Sequence, residues 1–89
     1  MNRVLVVGVE VHGGWWFALW RRDDVHPPAF DVALARPHER RDRPGWSFAL
    51  KPSIEAAIEA ASDHLSRQIG IPAARIAEHL ASTLDVASP

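Results

Sequence analysis

The stretch RVLVVGVEVHGGWWFALW, Arg3 to Trp20, decides the fold. Before Gly13-Gly14 stand β-branched and aliphatic residues with no helical spacing; after it stand Trp15, Trp16, Phe17, Leu19 and Trp20. Strand formers on both flanks of a glycine pair, which supplies the positive φ values of a tight primed turn, predict a β-hairpin with strands over about 3–12 and 15–21. Pairing centred on a two-residue turn sets Val11 opposite Trp16, Val9 opposite Ala18 and Val7 opposite Trp20, and opposed residues share a face. With Leu5 added, that face is wholly apolar. The other face pairs His12 with Trp15, Glu10 with Phe17 and Gly8 with Leu19, setting polar groups beside large apolar ones.

Downstream, Asp23, Asp24 and Pro27-Pro28 exclude a central strand, so residues 22–29 read as a loop. Alternation returns twice. Phe30, Val32 and Leu34 oppose Asp31, Ala33 and Ala35, and Trp46, Phe48 and Leu50 oppose Ser47, Ala49 and Lys51, predicting strands over about 30–35 and 46–51. Residues 36–45 between them are charged, bracketed by Pro37 and Pro44, and predict a mobile loop. From Ser53 the period becomes helical: Ile54, Ala57, Ile58, Ala61, Leu65 and Ile69 share a face, with Ser53 as N-cap and Gly70 as terminator. This predicts a helix over about 53–69. A second, over about 72–85, starts at Pro72 and carries Ile76, Ala77, Leu80 and Leu84 on its stripe, with fraying beyond Asp85. Four strands and then two helices define an α+β fold, a four-stranded antiparallel sheet with two C-terminal helices packed on one face, in a single domain over 1–89.

Eighty-nine residues, 47% hydrophobic and 24% charged, suit one modest folded core. No run approaches the ~18 apolar residues of a membrane helix, and Val4 to Val9 is too short for a secretory core. The absence of cysteine excludes disulfides, thiolate metal sites and a cysteine nucleophile, in keeping with a cytoplasmic location. Nine of the ten basic residues are arginine and alanine is abundant, the composition of a bacterial protein from a GC-rich genome. Residues 1–51 hold eight basic and six acidic side chains, net +2, and residues 52–89 hold two and five, net −3. Neither half has the basic excess that phosphate binding by counterion release demands.

The predicted hairpin leaves a surplus. If the helices cover the face of Val7, Val9, Val11, Trp16 and Trp20, then Trp15, Phe17 and Leu19 stand in water, forgoing roughly 1.5–3 kcal/mol each. A contiguous apolar patch of this kind marks a contact surface, and a second copy of the chain is the simplest partner, with another protein next. The alternative is internal closure by the N-terminal residues, the 22–29 loop or the arginine-rich loop.

Two further constellations bear on function. Arg36, Arg40, Arg41 and Arg43, with Trp46 as a stacking platform, are candidates for nucleic-acid or acidic-partner contact, although Glu39 and Asp42 cancel half of that charge. Glu10 and His12 share a sheet face beside Trp15 and could frame a small-ligand or enzymatic pocket. No catalytic residue set, cofactor signature or metal motif is present: the five histidines form no HExxH or HxH, Asp23-Asp24-Val25-His26 lacks a further ligand, and no phosphate-loop or GxSxG frame occurs. Ala73 to Thr83 has the look of the first helix of a helix-turn-helix, but no recognition helix follows it. In architecture alone the layout resembles HicB-type antitoxins, with Gly13-Gly14-Trp15 and Ile54 to Leu65 as the matching pieces. It departs from them after the second strand, where the Pro-Asp-Leu-Pro-Gly-like stretch is missing and residues 22–50 are too long, so no family is assigned. The reading is a non-catalytic protein that works through protein–protein contact, expected as a homodimer through the Trp15, Phe17 and Leu19 face.

Overall fold

His12, Gly13 and Gly14 form one turn in which all three residues have positive φ, 39°, 76° and 95°. The computed structural model describes residues 3–87. The turn joins strand β1 (Arg3–Val11) to β2 (Trp15–Arg22), and β3 (Ala29–Ala35) and β4 (Trp46–Lys51) complete an antiparallel sheet in the order β1-β2-β3-β4. Helices α1 (Ile54–Ile69) and α2 (Ala73–Ala87) follow. The α+β class and the strand and helix order are those the sequence predicts.

The register is not. Because the turn takes three residues rather than two, Val11 pairs with Trp15, Val9 with Phe17 and Val7 with Leu19, each one position from the expected partner. A one-residue slip carries every side chain of a strand to the opposite face. Trp15, Phe17 and Leu19 therefore point at the helices, and Trp16 and Trp20 point away. The chemistry favours this arrangement, because it turns one indole inward, Trp15 beside the turn, instead of the two of Trp16 and Trp20, and an indole N–H needs a hydrogen-bond partner where Phe17 and Leu19 need none. Both are fully buried. They pack with Val32 and Leu34 of β3, Ala57, Ala61 and Leu65 of α1, and Ile76 and Leu80 of α2.

Local signals place the helices. Ser53, in extended backbone, caps α1 by accepting the Ala56 N–H at 3.1 Å. Gly70, at φ 78°, ends it and donates to the Ser66 carbonyl at 2.9 Å. The Pro72 carbonyl accepts from Arg75 and Ile76 to start α2, which runs to Ala87, past the expected end at Asp85. Helix α1 lies over β3 and β4, while α2 packs chiefly on α1. The first half of β1 stays uncovered.

The sheet face away from the helices closes itself. Gly8 lies under the Trp16 ring, where an added Cβ would come within 2.7 Å of Cζ2. Ala18, Ala33 and Ala35 are buried between the larger outward residues of the sheet. Closure comes partly from the 36–45 loop, which is folded by two turns, Glu39 N–H to the Arg36 carbonyl and Arg43 N–H to the Arg40 carbonyl. Met1 and Asn2, another candidate for closing this face, lie outside the described residues.

Phe17→Ala is expected to cost about 3–5 kcal/mol, the range for emptying an aromatic core site. Urea denaturation should show a lower midpoint at unchanged slope. A loss below about 1 kcal/mol would place Phe17 outside the core.

Candidate functional site

The proposed contact triad has to be corrected first. Trp15, Phe17 and Leu19 are 8%, 0% and 0% exposed and belong to the chain's own core, so no partner reaches them. The cause is the three-residue turn.

The arginine loop does not gather its charges into one patch. Arg36 bonds to Gln68 at 3.1 Å and reaches over the edge of Trp15, on the helix side. Arg41 lies on the opposite side of the sheet, 4.1 Å above the Trp16 ring and 3.6 Å from Glu10. Arg40 forms a two-point pair with Asp42 at 2.9 and 3.0 Å, and Arg43 is exposed at the loop's end. Trp46 is not a free platform: it stacks on His64 with centroids 4.9 Å apart and planes inclined by 15°. Burial and the charges of Arg67 and Arg36 push the His64 imidazole below its ordinary value.

Glu10 and His12 part company as well. Glu10 is exposed on the outer face beside Arg41. His12 sits in the turn and meets His79 of α2, ring centroids 4.7 Å apart, with Nε2 buried and unpartnered. Burial foremost, and then the neighbouring His79, lowers the His12 pKa. The pocket expected around Glu10, His12 and Trp15 is not formed, since Trp15 is in the core and the other two face different neighbours.

Sequence reasoning missed an ionic cluster at the opposite end of the sheet. Asp31, 6% exposed, accepts the Leu50 N–H at 3.0 Å and lies 3.3 Å from Arg22 and 3.5 Å from Arg3. Arg3 also covers the Trp20 ring at 4.2 Å. Arg22 holds Asp24 in a two-point bond at 2.6 and 2.7 Å, which brings that carboxyl down to about 2. The available signal was a carboxylate of β3 on the same face as Ala33 and Ala35, the face that also carries Trp20 and Arg22. Among the described residues no three His, Asp or Glu side chains converge as a metal site, and Asp23 and Asp24 are instead paired with Arg21 and Arg22.

Also missed was the first half of β1. Val4, Leu5 and Val6 are 46%, 55% and 37% exposed, contiguous, and on an edge strand with nothing beyond it in the sheet. The unbroken run Val4 to Val7 carried the signal, since a one-sided strand needs only alternate apolar residues. The other edge, β4, exposes Phe48 and Leu50 but is blunted. Lys51 lies 3.7 Å over Phe48, Leu50 has φ 57°, its N–H is taken by Asp31, and Pro52 follows.

No protein-family model matches the chain, no curated protein matches it, and no solved structure matches it. No helix among the described residues is long and apolar enough to cross a membrane.

The histidines make stability depend on pH. Folded-state pKa values lowered beneath the ordinary 6.5 mean that the unfolded chain binds protons first, so stability is full above about 6.5 and falls as pH drops below it. The thermal midpoint is therefore expected to decline from pH 7.5 to about pH 5.5. His12→Asn, which tolerates positive φ, should flatten part of that slope and leave the His64 part. An unchanged slope would show that His12 protonates freely in the fold.

Proposed function

We propose that this is a non-catalytic bacterial protein of the cytoplasm that acts through protein–protein contact, and that it self-associates through the β1 edge. The observation that carries the reading is the exposed run Val4, Leu5 and Val6 on an edge strand, with neither proline nor charge inside the run. Alternate N–H and C=O groups of an edge strand point outward and template a further strand. A second copy fits best, because an antiparallel pair about a two-fold axis needs only one self-complementary strand.

The irregularity in β1 supports a specific register. Between Leu5 and Val7 the pairing with β2 skips Val6, so residues on either side of the bulge change parity. Arg3, Leu5, Gly8 and Glu10 consequently share the outer face, while Val4 and Val9 share the inner one. In a β1-to-β1 pair centred on Val6 and Val7, Arg3 of each copy meets Glu10 of the other, Val4 meets Val9, and Leu5 meets Gly8. Opposite charges fall together at both ends, and the residues of these three pairs match in face.

Light scattering after size exclusion is expected to give a dimer mass for the wild-type chain and a monomer mass for Leu5→Lys, with the far-ultraviolet spectrum unchanged. A wild type that stays monomeric at high concentration overturns the reading. Charge exchange supplies the finer check: Arg3→Glu and Glu10→Arg should each weaken the dimer several-fold, and together restore it.

A further inference from the structure

Helices α1 and α2 pack against each other and leave a seam on the side away from the sheet. This groove of about 510 Å³ has an alanine floor, Ala73, Ala77 and Ala81 at helical spacing, with Ile58 beside them. Its rim carries Glu55, Glu59, Asp63 and Glu78, and neither lysine nor arginine lines it. All four carboxylates are exposed, and none takes part in an ion pair among the described residues. One polar side chain stands among the floor residues. Ser62 is 1% exposed, and its hydroxyl is buried without a hydrogen-bond partner. A buried hydroxyl left unsatisfied calls for an explanation.

We propose that this groove docks a basic amphipathic helix of a partner protein, which sets one lysine against Ser62 and lays apolar side chains along the alanines. The shape favours a helix: Glu55 to Asp63 and Ala73 to Ala81 each span about two turns, ~12 Å, and small floor residues admit a close third helix. The charge favours a basic one, because rim carboxylates steer and orient a cationic partner. Ser62 lies one residue before Asp63 and three after Glu59 on α1. A lysine whose stem crosses Ala77 can therefore donate to the hydroxyl, turned outward about χ1, while its charge stays between two carboxylates. This inference does not depend on the β1 edge, since the two surfaces share no residue.

The test uses two synthetic amphipathic helical peptides of leucine and lysine, identical except that the central position of the apolar face is lysine in one and leucine in the other. Fluorescence anisotropy with the full chain is expected to show the central-lysine peptide binding more tightly. Ala77→Phe, which fills the groove, and the double change Glu59→Lys with Asp63→Lys should each weaken it about tenfold. Asp42→Lys, on the distant loop, should leave it unchanged. Ser62→Ala should weaken the central-lysine peptide several-fold, spare the all-leucine one, and leave thermal stability intact or raised. Leu5→Lys, the monomeric variant, should bind as wild type, which separates failure here from failure of the β1 reading. The proposal is overturned by an absence of binding, by equal losses in Asp42→Lys, by indifference to Ala77→Phe, or by amide protection over Ala73 to Ala81 that rises with protein concentration alone, since a second copy would then fill the seam.

Discussion

Three consecutive residues with positive φ govern this molecule. His12 alone among them carries a side chain, at φ 39°, and its presence in the turn sets the hairpin register. From that register follows which aromatic residues are core and which are cover. Phe17 and Leu19 go inward, where they need no polar partner, and Trp16 and Trp20 go outward, where they shield Gly8 and the small residues of β2 and β3. A two-residue turn would bury the two indoles beneath the helices and strand Phe17 in water. Turn geometry and core packing therefore select the same pairing, which is how a native sequence holds one register against its neighbours.

The elements themselves were legible because each carries its own local punctuation. Ser53 and Gly70 bracket α1, the switch from alternation to helical spacing falls between Lys51 and Ile54, and prolines and aspartates separate β2 from β3. The faces of β2 were not legible. Glycine pairs serve both two- and three-residue turns, and the difference lies in the φ value of His12, a residue whose type tolerates either. Every candidate placed on the hairpin inherited that ambiguity, so Trp15, Phe17 and Leu19 were read as surface and Glu10 and His12 as neighbours. The arginine loop failed differently. Its composition was read correctly as charged and self-cancelling, but sequence carries no record that Arg36 and Arg41 lie on opposite sides of the sheet.

Charge in this chain is largely spent internally. Arg3 and Arg22 balance Asp31, Arg21 and Arg40 close onto aspartates two residues away, and Arg3 and Arg41 lie over indoles. Exposed pairs of this type contribute little stability, because water and salt screen them. Their effect is on the surface that remains: the sheet side presents neutralised arginine rather than a basic field, which argues against phosphate recognition more directly than the net charge does. The helix side differs in kind, since the groove-rim carboxylates of α1 and α2 have no cationic partner among the described residues.

The two surfaces left over are consequences of how two helices cover four strands. Helix α1 begins just after β4 and so lies on β3 and β4; α2 turns back along α1 and reaches the sheet near the hairpin turn, where His79 meets His12. The far end of β1 then has no helix above it, and the outer seam between α1 and α2 has no third helix behind it. An apolar edge and an acid-rimmed apolar groove are the residues of an incomplete burial, and they differ in chemistry. Backbone pairing at the edge suits an identical strand, whereas the groove, lacking any cation of its own, is poorly matched to a second copy of itself. The edge therefore favours symmetry and the groove a different partner, and a dimer joined at β1 would carry its two grooves free.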